Sequence, residues 1–332
     1  KGFIKGAITT VITAAMLLMP FKTSYAFWTD VVLEDESLYN YLQVAERGNS
    51  VILSTNVAFG VQSIYTRDQI LSGYYYDYAL MSPLLISDGS LEKPLDILVL
   101  GMGTGTFAKE CKYFFPNSNI TGVEIDEKIV NLSKEYFQLT DEEATVYVND
   151  GRTFLSSPQA GMYDIILCDA YHDITIPFHM ATTEFFSEVK EHLKPGGVVM
   201  VNINMRSSNT TEITDYLTNT LKTNMGQVYK YDIPGITNTL VYSSDEPDCL
   251  QNLKDNSAKL DKDSPLVELA NRVIGNYTQV TDTTYVLTDN LAPVEVLGQK
   301  LLNDVVEDNL KYFMKELEES ENGLLDVFNM LS

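Results

Sequence analysis

Cysteine, histidine and tryptophan are scarce in this chain, whose 332 residues hold three cysteines, three histidines and one tryptophan. Three cysteines cannot build a disulfide framework, and no pair of them has the spacing of metal ligands. His172, His179 and His192 form no evident cluster, so no metal is expected. Positive charge is short as well. Lys and Arg total 23 against 46 Asp and Glu, a net charge of −23. Such a surface repels a phosphate backbone, which argues against nucleic acid and is compatible with cationic partners. The chain also lacks internal repeats, low-complexity segments and any apolar run of the ~20 residues that a spanning helix needs.

The 45% hydrophobic content suffices for one large or two unequal domains with a proper core. Residues 1–27 differ from everything after them. Lys1 and Lys5 precede a largely apolar run, Ala7–Phe21, followed by Lys22 and Thr23-Ser24-Tyr25-Ala26. This is the pattern of a signal peptide, and equally of an uncleaved anchor or a helix buried against another subunit. Membrane anchoring or export is expected, on a side of the membrane that the sequence leaves open. Residues 28–66 alternate around the turn signal Arg47-Gly48-Asn49-Ser50 and predict a small antiparallel β domain. Residues 67–250 form a larger α/β unit, and 251–332 a mostly helical extension ending in an acidic amphipathic stretch.

The larger unit is organised around Asp96–Thr106, D-I-L-V-L-G-M-G-T-G-T. A short apolar run predicts a strand buried on both faces, which enters Gly101-x-Gly103-x-Gly105 and then a helix. A strand, a glycine turn and a helix start bring bare backbone amides against a ligand. Asn119–Glu124 predicts a second strand, ending in an acid about 20 residues on, where a ribose-binding carboxylate belongs. Thr145–Val148 runs into Asn149-Asp150-Gly151, and Tyr163–Cys168 into Asp169. With helices expected near Glu127–Phe137, Thr182–Leu193 and Thr210–Thr223, the alternation predicts a doubly wound, mostly parallel sheet. The ligand crevice lies at the carboxyl ends of its strands. Glu124 is the candidate for the ribose hydroxyls, and Asp150, beside Gly151, for the adenine amino group. Asp126 reads as a helix cap.

The order G-x-G-x-G, V-E-I-D, N-D-G, C-D-A-Y resembles class I S-adenosylmethionine-dependent transferases, a Rossmann-like fold. More narrowly it resembles the polyamine aminopropyltransferase (spermidine synthase) family. Ile176–Asn202 and Leu287–Glu295, L-T-D-N-L-A-P-V-E, resemble its membrane-associated branch. The resemblance spans roughly Leu38 to Leu297 and implies a homo-oligomer. It implies decarboxylated S-adenosylmethionine, or S-adenosylmethionine itself, as co-substrate and a small amine as acceptor. It makes Asp169 the base that receives the proton of the attacking amine. Gln62 matches a nucleoside contact, and Tyr75 and Asp77 match positions along the amine chain.

The chain departs from the family at the amine end. Thr104 stands in the glycine loop where an aspartate would grip the aminopropyl ammonium, and is expected to face the ligand's tail. His172 replaces the second acid of an Asp-x-x-Asp loop, with Asp173 one place later, and Ile236 replaces a tyrosine. Three readings follow: an aminopropyltransferase, a methyltransferase using S-adenosylmethionine, and a non-catalytic protein that reuses the fold for assembly or binding.

Overall fold

The computed structural model describes residues 30–56, 60–87, 92–171, 176–204, 211–301 and 303–304. The N-terminal segment 1–27, His172, Asp173 and the C-terminal amphipathic stretch from 311 lie outside the described residues. Among the described residues no helix is long and apolar enough to cross a membrane.

The chain begins with a four-stranded antiparallel meander: β1 (Val31–Glu36), β2 (Tyr41–Arg47), β3 (Ser50–Thr55) and β4 (Ser63–Thr66). Arg47 pairs with Ser50, leaving a two-residue turn in which Gly48 takes φ 58. One face of the meander carries Leu42, Val44, Val51 and Leu53, which pack on Ile129, Leu132 and Phe137 of the larger unit. Burying such side chains is worth about 1.5–3 kcal/mol each, which seats the meander beside the crevice.

The larger unit holds an eight-stranded sheet of order β12-β10-β11-β9-β8-β5-β6-β7. Its parallel part comprises β5 (Asp96–Leu100), β6 (Asn119–Glu124), β7 (Thr145–Val148), β8 (Tyr163–Cys168) and β9 (Leu193–Ile203). Along β5, Ile97 and Val99 enter one core while Leu98 and Leu100 enter the other. A strand buried on both faces therefore reads as one unbroken apolar run. From β5 the chain winds outward through β6 and β7, then returns to place β8 on the other side. The switch point falls at β5, and the crevice opens there.

Three helices follow the predicted pattern: α2 (Thr106–Phe114), α3 (Glu127–Glu135) and α5 (Thr183–Glu191). A short α1 (Tyr75–Ala79) precedes β5, and α4 (Gly151–Leu155) follows β7. After β9 come α6 (Glu212–Asn224), β10 (Gln227–Asp232) and β11 (Thr239–Ser244). The sheet runs antiparallel from β9 onward. Lys194-Pro195-Gly196-Gly197 lies within β9, whose pairing with β8 shifts register between Tyr163 and Ile165. The polar stretch after Asp245 contains α7 (Cys249–Ser257), followed by α8 (Pro265–Asn276) and the short β12 (Thr278–Gln279). The polar residues of α7 are not all solvent-facing. The Asn256 side chain is buried and donates to the Leu84 and Ile86 carbonyls at 2.9 Å each.

Candidate active site

At the end of β5 the backbone amides of Gly101 and Met102 both donate to the Val123 carbonyl, at 2.9 and 3.0 Å. This turns the loop so that the Gly103 amide donates to Glu124 Oε2 at 2.9 Å, while Oε1 accepts from the Asp126 amide at 3.1 Å. Glu124 is only 8% exposed, and burial raises its carboxyl pKa despite these amide donors. Gly101 has φ +92, and a Cβ there would lie 2.4 Å from the Asp169 carbonyl oxygen. The loop is therefore glycine at 101 because the β8 exit runs directly against it.

Asp169 leaves β8 with its amide bonded to the Leu100 carbonyl at 2.8 Å. Its Oδ2 accepts from the Tyr75 hydroxyl at 2.7 Å and its Oδ1 from Asn202 Nδ2 at 2.8 Å. Asn202 is fixed in turn, since its Oδ1 accepts from Asn238 at 2.9 Å and its carbonyl accepts from the Tyr171 hydroxyl. Burial pushes the Asp169 carboxyl from 3.8 up to about 7, against the Asn202 and Tyr75 hydrogen bonds and with help from the Glu124 charge. The Tyr75 hydroxyl, raised well above 10 by burial and by Asp169, stays protonated as a donor. A carboxylate poised near neutrality and clamped by two donors can accept a proton at physiological pH. Removing one donor should move it further. Tyr75→Phe is expected to shift the acidic limb of the pH–rate profile up by roughly one pH unit. An unshifted limb would show that Asp169 does not govern it.

At the other end Asp150 caps α4, accepting from the Thr153 amide at 2.8 Å, and its Oδ2 lies 2.9 Å from His179 Nε2. Burial opposes ionisation of Asp150, but these partners prevail and hold its carboxyl below its ordinary value. The 178–180 turn carrying His179 is tied down by Arg152, which donates Nη1–H to the His179 carbonyl at 3.0 Å. The same guanidinium bonds Glu188 through Nε and Nη2 and Asp289 through Nη1 and Nη2.

Gln62, Tyr75, Gly101, Gly103, Glu124, Asp150, Gly151 and Asp169 thus line one cleft of about 410 Å³, within the range of small-molecule sites. Three other expected residues do not line it. Gly105 starts α2 at φ 87. Thr104 is turned inward: it is 1% exposed, its amide faces Ser63 Oγ at 3.3 Å and its hydroxyl has no partner among the described residues. Its position beneath the loop corrects the expectation that it faces the ligand's tail. Asp77 is buried on α1, where it accepts from the Ser72 amide and hydroxyl and the Gly73 amide at 2.9, 2.6 and 3.0 Å. It fixes the turn that aims Tyr75 at Asp169, rather than meeting the cleft. Ser63, Tyr76, Tyr171, His179 and Glu295 also line the cleft. Ser63, His179 and Glu295 come from segments remote in sequence from the parallel strand ends, whereas Tyr76 adjoins Tyr75 and Tyr171 follows Asp169 by two positions.

A model of the spermine/spermidine synthase domain matches residues 83–245. A probable polyamine aminopropyl transferase of Bifidobacterium longum is 39% identical over 338 residues, which cover 96% of this chain and 74% of that protein. The polyamine aminopropyltransferase of Vibrio vulnificus is 30% identical over 227 residues, 66% of this chain and 72% of that protein. The crystal structure of a probable spermidine synthase from Corynebacterium glutamicum superposes with a TM-score of 0.57 at 20% identity. It covers 71% of this chain and 88% of its own, a likeness of fold.

Proposed function

Because the chain belongs to the spermine/spermidine synthase family, we propose that it transfers an aminopropyl group from decarboxylated S-adenosylmethionine to a small amine. The observation that carries this reading is Asp169, clamped by Tyr75 and Asn202 at a strand end and poised near pH 7. An ammonium ion has no lone pair, so the acceptor must lose a proton before its nitrogen can attack. Asp169 takes that proton. The nitrogen lone pair forms the new C–N bond to the carbon on the sulfonium. The C–S bond breaks with its electron pair to sulfur, which leaves as the neutral thioether methylthioadenosine. Holding the amine in line beside its base supplies orientation as well as proton transfer.

The charge of the cleft supports the decarboxylated donor. Among the described residues its wall carries Glu124, Asp150, Asp169 and Glu295 and no lysine or arginine. A sulfonium and an ammonium are attracted there, whereas the carboxylate of S-adenosylmethionine meets no counter-charge. Calorimetric titration with both donors tests this. The decarboxylated form is expected to bind more tightly, and a preference for S-adenosylmethionine would favour the methyltransferase reading.

Glu124 holds the ribose, offering the carboxylate lone pairs left free by the Gly103 and Asp126 amides. Glu124→Ala is expected to weaken methylthioadenosine by ~1.5–3 kcal/mol, the worth of a charge-assisted hydrogen bond. It should also lower the Asp169 pKa, because the Glu124 charge raises it. If Glu124→Ala showed neither effect, the ribose would lie elsewhere. Association with a membrane through residues 7–21 and assembly into a homo-oligomer belong to the same proposal. Fractionation and sedimentation of a chain lacking residues 1–27 test both.

A further inference from the structure

Against the turn that carries Tyr75 lies a pair of buried acids from two different elements. Asp77 comes from α1 and Glu110 from α2, and they are 5% and 2% exposed. Both accept from one donor. The Ser72 amide lies 2.9 Å from Asp77 Oδ1 and 3.1 Å from Glu110 Oε1. The Ser72 hydroxyl and the Gly73 amide complete the grip on Asp77. The second oxygen of Glu110, Oε2, is buried and meets no donor among the described residues.

The lysines nearby on α2 are engaged elsewhere. Lys109 reaches Glu143 at 3.0 Å and the Gln138 carbonyl, with the Tyr65 ring of β4 against it. Lys112 donates to the Pro116 and Ser118 carbonyls. Tyr76 of α1 and Cys111 of α2 also sense the Glu110 charge, and burial keeps both of them protonated. Two ionised carboxylates on one amide in so dry a place would repel strongly, so the pair needs a proton. Glu110 carries it. Burial, and then the Asp77 charge, lift its carboxyl well above the ordinary 4.5. The proton turns Glu110 into a donor, with Asp77 as the acceptor in reach.

We propose that Glu110 is a positioning residue: it shares a proton with Asp77, and this proton fixes the turn 72–75 from which Tyr75 is aimed at Asp169. Its consequence for catalysis rests on the aminopropyltransferase reading, whereas the contact itself does not. The path is short. Asp77 follows Tyr75 by two positions on α1, and the Tyr75 hydroxyl reaches Asp169 Oδ2 at 2.7 Å. With the proton in place the two acids clasp α1 to α2. Without it their like charges push the elements apart, and Tyr75 withdraws. The native Glu110 holds its proton more tightly than the unfolded one at 4.5. Its stabilising contribution is therefore present below that value and lost as pH rises through the raised native one. Glu110→Gln keeps a donor and an acceptor in the same shape and has no proton to lose.

The test follows the Asp169 carboxyl by carbon NMR and melting by calorimetry, neither of which needs a substrate. The Tyr75 hydrogen bond lowers the Asp169 pKa, so withdrawal of Tyr75 lets it rise. In Glu110→Ala the Asp169 titration should move up by roughly one pH unit, as in Tyr75→Phe. In Glu110→Gln it should not move. The melting temperature of Glu110→Gln, relative to the unmodified chain, should climb as pH rises. An unmoved Asp169 in Glu110→Ala would show that Glu110 does not aim Tyr75, and would overturn the proposal. So would a glutamine variant that behaves like the alanine one, or a melting difference that is the same at every pH. Should Glu110→Ala fail to fold, the melting difference of Glu110→Gln decides alone. Absence of aminopropyl transfer would sink the aminopropyltransferase reading, while these titrations would still decide the role of Glu110.

Discussion

Asp169→Asn is expected to slow aminopropyl transfer by about a thousandfold, the middle of the range for removing a general base. Asparagine has nearly the same shape and still accepts from Tyr75 through its carbonyl oxygen, so substrate binding should persist. It cannot take a proton from the ammonium. Single-turnover rates with decarboxylated S-adenosylmethionine and a diamine provide the measurement, and a loss below tenfold would remove Asp169 from the role of base. The pH dependence adds a signature. Because burial lifts the carboxyl to about 7, the base form is lost as pH falls below neutrality, and the rate of the unmodified protein should fall with it. Stability runs the opposite way. The native carboxyl holds its proton more tightly than the unfolded one at 3.8, so its contribution is fully present below about pH 4 and lost as pH rises through 7. Asp169→Asn should flatten that decline.

Gly101→Ala should destabilise the whole domain, by roughly 3 kcal/mol or more. The position combines φ +92, which L residues rarely adopt, with a Cβ placed 2.4 Å from a backbone carbonyl oxygen and 2.7 Å from the Ala170 Cα. Neither neighbour is a side-chain tip that could swing away. Relief requires β5 and β8 to part at the crevice, so methylthioadenosine binding should fall together with the melting temperature. In a domain of this size the expected drop is of order 6–12 °C. Unchanged melting would mean that the loop accommodates a side chain, and the tight β5–β8 contact would then not shape the site.

The Rossmann-like sheet was legible because its central strands obey a local rule. β6, β7 and β8 are bounded by polar or glycine residues at the ends that face the crevice, and their limits agree with the sequence expectation. The antiparallel half was less so. β10, Q-V-Y-K-Y-D, carries polar residues into a sheet because helices from elsewhere in the chain bury its two faces, α6 over Val228 and α8 over Tyr229 and Tyr231, which no local pattern records. In the site, Glu124, Asp150 and Asp169 were legible as strand-end acids. Their partners were not. Asn202 meets Asp169 across 33 positions and His179 meets Asp150 across 29, pairings set by strand order. Thr104 and Asp77 show the opposite failure. Asp77 matches a family position and Thr104 replaces one, but a side chain's face is fixed by its own turn, and both turn inward here.

The central claim is that this cleft moves an aminopropyl group, and analysing the products by mass spectrometry tests it most directly. The purified chain is incubated with decarboxylated S-adenosylmethionine and a diamine at pH 8, in parallel with Asp169→Asn. The account predicts methylthioadenosine and an amine heavier by one aminopropyl group, in equal amounts, and both products formed about a thousandfold more slowly by the variant. No methylthioadenosine from the unmodified protein, or methylated amine and S-adenosylhomocysteine formed only when S-adenosylmethionine is supplied instead, would contradict it.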